Sequence, residues 1–370
     1  MKAKKTILTG ALLTILACSS FSNTFADTSI HSESGATDAN FFIDASIQGN
    51  ARTVIQNVMK TLDPDARENV IYQDSNGKFY ANKPELLDNV FEFKKVSDNV
   101  FETPDGKERF AFPVEDDSDL KALIKNSQNS SDSSTSTNNQ QPSGDLDILA
   151  TQPSCSGTTG PFRRVTSLAN YSWESSYVYL PKKPNIQDHN TKGTTDYNGD
   201  TGYAYMGGLG VSGGSVDAGL MHSTLYDNWA MMISVDNDPL GYTQRFQSGQ
   251  NVNIKFNVPS NNNVSLTVSG IDYTTKKNTT VTFTRAAKGF TLNGANILKR
   301  LTTIGQDPEN LNSGSYMHGV HWYNSLIGNS STSYHTWAAA DTYGSPCTHT
   351  TAVVSVNYVN AGEETVDIDL

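Results

Sequence analysis

From Gly202 to Ile271 the chain alternates apolar and polar side chains with period two. Val216, Ala218 and Leu220 share one face of a first segment, and Trp229, Met231, Ile233 and Val235 share one face of a second. In a third, Val252, Ile254, Phe256 and Val258 alternate with Asn251, Asn253, Lys255 and Asn257. Such a pattern predicts strands with one dry and one wet face. The PSNNN stretch then leads into Val264, Leu266 and Val268, which predicts a hairpin closed by a five-residue loop. An antiparallel sheet with one buried face is therefore the organising element.

Further strand signals follow one another through residues 151–370: SSYVYLP, TGYAYM, TTVTFTR, TAVVSVNYV and TVDIDL, punctuated by Gly and Asn. ILKRLTTI and the stretch from Gly314 to Ala340 are ambiguous. Many short strands with such turns predict a mainly β fold, a lectin-like jelly-roll β-sandwich, for this C-terminal domain. Residues 126–150 are Ser-, Asn- and Gln-rich and nearly free of apolar side chains before Leu146. That composition cannot offset the entropy of ordering, so they read as a flexible linker.

Residues 27–125 read as a separate small α+β domain. Val54, Ile55, Val58 and Leu62 have helical spacing, with Pro64 ending the helix. A turn at Asp74–Gly77, a strand at Val90–Phe93, a hairpin around Pro104-Asp105-Gly106 and a helical turn over Asp119–Lys125 complete it. The whole chain of 370 residues suits roughly two domains of ~100–200 residues each.

Lys2, Lys4 and Lys5 precede the apolar run ILTGALLTILA, which is too short to span a bilayer, and no later stretch is long enough. Residues 1–26 therefore read as a secretory signal cleaved after Ala26. The alternative is an imperfect lipobox that would anchor the protein through a lipid on Cys18. Either reading sends the chain out of the cell, where thiols oxidise. Cys155 and Cys347 remain, and a disulfide between them is expected, with two buried free thiols as the alternative. The formal net charge is -11, with most of the acidic excess N-terminal, which argues against a nucleic-acid partner.

Candidate chemistry is sparse. Gly208 to Gly213 fit GxGxxG and Gly210 to Gly214 fit GxSxG, but neither is followed by the helix that its chemistry requires. Both read as a glycine-rich link between strands. Asp196, Asn198 and Asp200 put oxygen ligands at alternate positions, a candidate calcium site; Thr201 and Gly207 stand where an EF-hand needs Gly and Glu. An Asx-rich turn is the competing reading, and no other cofactor is expected. His318 and His321 lack an adjacent Cys or acid. Glu174, Glu309, Glu363 and Glu364 are the glutamates of residues 151–370, and none forms an obvious catalytic pair.

The aromatic residues carry more. Tyr226, Trp229, Trp322, Tyr323, Trp337 and Tyr343 fall in or beside irregular polar stretches. Flat rings beside Asn, Asp and Gln are what a sugar-binding surface needs. Trp229 heads an apolar face and belongs to the core. Trp322, Tyr323, Tyr226 and Asp227 are the candidate ligand-binding residues.

The glycine-rich step, the strand bearing Asp217 and Gly219, Tyr226 and Trp229 opening the next strand, and the SGQNVNI segment together resemble the YrpD family of secreted bacilli proteins. The resemblance covers roughly residues 200–305. It implies an exported, lectin-type jelly roll and brings no catalytic residues. The expected function is non-catalytic binding of a glycan or cell-wall polymer. A polysaccharide hydrolase or lyase on the same fold is the alternative from the enzyme class, and a structural matrix or toxin-like surface protein is a third.

Overall fold

A computed structural model describes residues 41–118, 120–122, 124, 155, 157, 159–292, 294 and 296–370. The expected signal segment, with its cleavage site and Cys18, and the expected linker at 126–150 lie outside the described residues. The described chain is mainly β. One helix, α1 (Gly49–Thr61), stands where the apolar spacing places it and buries Ile55 and Met59. No described helix is long and apolar enough to cross a membrane.

The larger sheet has eleven strands. Its order is β2 (Phe79–Ala81), β1 (Asn69–Gln73), β16 (Asn278–Ala286), β15 (Asn263–Ile271), β14 (Gln250–Ser260), β8 (Trp173–Leu180), β18 (Tyr316–Ser330), β22 (Glu363–Asp369) and β21 (Val354–Asn360). β9 (Ile186–Gln187) and β19 (Ser333–Thr336) also pair with β18. The second sheet has eight strands, in the order β20 (Cys347–His349), β7 (Phe162–Ala169), β17 (Ile297–Gly305), β10 (Thr201–Leu209), β11 (Ser215–Ser223), β12 (Asn228–Val235), β13 (Asp238–Gln247) and β3 (Val90–Glu92). β4 (Lys94–Lys95), β5 (Val100–Glu102) and β6 (Arg109–Ala111) make a small third sheet.

The main core draws on both large sheets. Val252, Ile254, Phe256, Val258, Val264, Leu266 and Val268 meet Val216, Ala218, Leu220, Trp229, Met231 and Ile233 in one apolar cluster, as the alternation predicts. The eight-stranded sheet is dry on its other face too. There Tyr203, Tyr205, Met221, Met232 and Leu301 lie under Phe101, Phe110 and Phe112.

Two expectations need correction, and one ambiguous stretch is resolved. Residues 41–124 do not stand apart as a domain: β1 pairs in parallel with β16, and β3 extends the second sheet from β13. An isolated pair of short strands is marginal in water, so β1 and β2 complete the edge of an existing sheet. The expected five-residue loop is a tight turn, because Ser260 pairs with Asn263 and Asn262 takes a left-handed φ of 61°. The ambiguous ILKRLTTI stretch is a strand inside the second sheet, flanked by β10 and β7. Its Lys299 and Arg300 break the alternation, yet both are buried because acidic partners neutralise them.

Cys155 and Cys347 form a disulfide with 5.5 Å between their α-carbons. It ties the start of the C-terminal region to β20.

Candidate ligand-binding site

β14, β8 and β18 lie side by side, and their period-two alternation sends every second side chain outward. In register across the three strands, Asn253 faces Tyr177 and Tyr177 faces Tyr323; one step along, Asn251 faces Tyr179 and Tyr179 faces His321. Tyr177 and Tyr323 stack at 5.5 Å between ring centroids with 22° between planes, and His321 stacks on Tyr323 at 5.0 Å. Tyr177 is 43% exposed. Glu363 Oε1 lies 3.3 Å from His321 Nε2 and holds that ring from the far side. Asn253 Nδ2 donates to the Ser176 carbonyl at 3.2 Å, which fixes its amide. The result is a row of three parallel rings bordered by amides, on solvent-facing sheet. Burial raises the Tyr323 phenol above its usual range, so that hydroxyl is neutral at physiological pH.

Of the expected ligand-binding residues, the structure places only Tyr323 in this row. Trp322 is fully buried: its indole N–H donates to Thr302 Oγ1 at 2.8 Å and the Arg300 guanidinium sits 5.6 Å from its ring. The expectation of an exposed Trp322 is therefore overturned. β18 carries register shifts between Met317 and Val320 and between Tyr323 and Leu326, and these irregularities hide the strand alternation that turns Trp322 inward. Tyr226 is exposed at the turn after β11, with Arg245 5.1 Å from its ring, away from the Tyr177 strand register. Asp227 serves structure: its Oδ1 lies 3.3 Å from His222 Nε2 and accepts from the Lys183 amide at 3.3 Å.

The candidate calcium ligands do not converge. Asp196 pairs with His189 at 3.2 Å, Asn198 Oδ1 accepts the Asp200 amide at 2.8 Å, and Asp200 Oδ2 accepts from Gln306 and Ser315. This is an Asx turn, as its residue types favour. Among the described residues no group of three or more His, Cys, Asp or Glu is placed to hold a metal. The glycine-rich stretch is a turn between β10 and β11, closed by the Gly210 amide on the Gly214 carbonyl at 2.9 Å. Gly207 before it permits close strand packing, since a Cβ there would lie 1.9 Å from the Val216 carbonyl oxygen.

Sequence reasoning missed two buried polar clusters. Asp188 and His222 meet at the end of the second sheet, joined by Thr224 and Asn190. Lys299 lies between Glu115 and Asp217, each at 2.8 Å. Glu174 is fully enclosed, and burial pushes its carboxyl well above the usual range. Glu364, which like Glu174 lies in the eleven-stranded sheet, is held by Arg163 and Arg300. Neither side chain is open to solvent.

No family model and no curated protein matches the chain. Among solved structures, a Scytalido-glutamic peptidase bound to a peptide-based transition-state analog superposes with a TM-score of 0.39 and 10% identity over 58% of this chain and 100% of that one. SCP-B, a member of the Eqolisin family of peptidases bound to the tripeptide Ala-Ile-His, superposes at 0.37 with 9% identity over the same shares. Likeness at this level carries no argument about activity.

Proposed function

We propose that this is an exported, non-catalytic protein that binds a glycan or cell-wall polymer across the outer face of the eleven-stranded sheet. The observation that supports the reading is the stacked row Tyr177–Tyr323–His321 beside Asn251 and Asn253. The uncovered face of Tyr177, the exposed end of the stack, takes the apolar C–H side of a pyranose, while the ring edges, phenols and amides meet its hydroxyls. A row of rings that crosses from β8 to β18 suits an extended chain of sugars better than a single small molecule. The Cys155–Cys347 disulfide fits an oxidising destination. A jelly-roll connectivity and kinship with the YrpD proteins belong to the same reading. A glycan array together with pull-down on isolated cell walls tests it: retention on at least one polymer is expected, and no retention on any would overturn it.

A further inference from the structure

Residues 94–117 form a strap that belongs to neither large sheet, since β4, β5 and β6 pair among themselves. The strap lies over the outer face of the eight-stranded sheet, with Phe110 and Phe112 on a floor that includes Tyr203, Tyr205 and Leu301. Its backbone docks in extended fashion: the Arg109 amide donates to Asn190 O at 2.9 Å and the Ala111 amide to Gly199 O at 3.1 Å. Three of its acids each seat on a cation rising from a different strand. Glu108 meets Arg245 of β13 at 3.2 Å, Glu115 meets Lys299 of β17 at 2.8 Å, and Asp117 meets Arg164 of β7 at 3.0 Å. Glu115 also binds Arg164 at 2.9 Å and accepts from the Tyr205 hydroxyl at 2.7 Å.

A face needed only for stability gains little from such pairs, because buried ion pairs can be exchanged for hydrocarbon at no loss. Cations on three strands, spaced to match carboxylates along one extended segment, are instead the chemistry of peptide recognition. We infer that this face is a binding cleft for an extended acidic peptide, two aromatic side chains followed by two carboxylates at alternate positions, and that residues 94–117 occupy it in cis. Phe110, Phe112, Glu115 and Asp117 define the recognised pattern. A partner peptide with that pattern binds when the strap gives way.

The test uses the full chain with specific protease sites placed in the exposed Ser97–Asp98 turn and within residues 126–150. After both cuts the strap is held by its contacts alone. A labelled synthetic peptide of residues 100–124 is then added. The label is expected to exchange into the protein while the near-UV spectrum stays native, and a competitor carrying Glu115→Gln and Asp117→Asn should be at least ten-fold weaker. If the label enters only under conditions that unfold the sheets, or if the neutral competitor works as well, the cleft does not exist. Loss of the native spectrum on cutting would equally make the strap obligatory core and overturn the inference.

Discussion

The imidazole Nδ1 of His222 lies 2.8 Å from Asp188 Oδ1, with both residues fully buried. Burial opposes a charge on this ring, but Asp188 and then Asp227 more than offset it and hold the His222 pKa up at about 9. A raised pKa means that the folded protein binds this proton more tightly than the unfolded chain, whose value is 6.5. The contribution is therefore complete below about pH 6.5 and lost as pH rises through about 9. Its size is on the order of 3 kcal/mol. Urea unfolding at a series of pH values should show His222→Gln closing its gap with the parent protein as pH climbs across that window. A gap that is constant with pH would show that the ring is neutral in the fold.

Glu115 works with the opposite sign. Burial opposes its ionisation, yet Lys299 and Arg164 overcome that cost and hold its carboxyl down at about 2. Stability from this group is present above the unfolded value of 4.5 and is lost as pH falls toward about 2. Lys299→Met leaves buried Asp217 without its cation and Glu115 with Arg164 alone, and should cost about 3–5 kcal/mol at neutral pH. The loss should shrink in acid, because burial holds the Asp217 carboxyl up at about 6 and it is protonated by pH 4. Denaturant titrations at pH 7 and pH 4 measure both statements.

Trp322 and Trp229 should behave alike. Each is fully buried, with its indole N–H donated to Thr302 Oγ1 and to the Pro181 carbonyl respectively. Truncation of either to Ala should cost about 3–5 kcal/mol of stability. A Trp322→Ala protein with an unchanged melting temperature would put that ring back on the surface.

Reduction of the Cys155–Cys347 bond, which spans 192 residues, should lower stability by up to about 5 kcal/mol in the chain-entropy model. Thiol titration of the denatured, unreduced protein should find no free thiol from this pair. Two reactive thiols would contradict the bond.

The dry faces were legible because strict alternation over Val252–Val258 and Trp229–Val235 has one physical reading. The helix at Gly49–Thr61 was legible for the same reason, at helical period. What hid the rest was burial that does not look like burial. Lys299, Arg300, Arg163 and Arg164 read as solvated charges, and only their acidic partners, Glu115, Asp117, Asp217 and Glu364, make them interior. Those partners lie tens to hundreds of residues away, so no local pattern reveals them. The integration of β1 and β3 into the large sheets was hidden likewise, since strand pairing is non-local. In the candidate site, Tyr323 was visible as an aromatic in a polar stretch. Nothing local marks Tyr177, because its place in the row comes from the register of β8 against β18.

Binding by the stacked row is the central claim, and single-ring truncation tests it most directly. Affinity for a polymer retained by the parent protein is measured for Tyr177→Ala, Tyr323→Ala and, as an exposed aromatic outside the row, Tyr226→Ala, with melting temperature alongside. Loss of either Tyr177 or Tyr323 should weaken binding by about 1–3 kcal/mol, roughly ten- to a hundred-fold, and leave the melting temperature nearly unchanged. Tyr226→Ala should bind as the parent does. Unchanged affinity in both row variants, or a loss confined to Tyr226→Ala, would contradict the account.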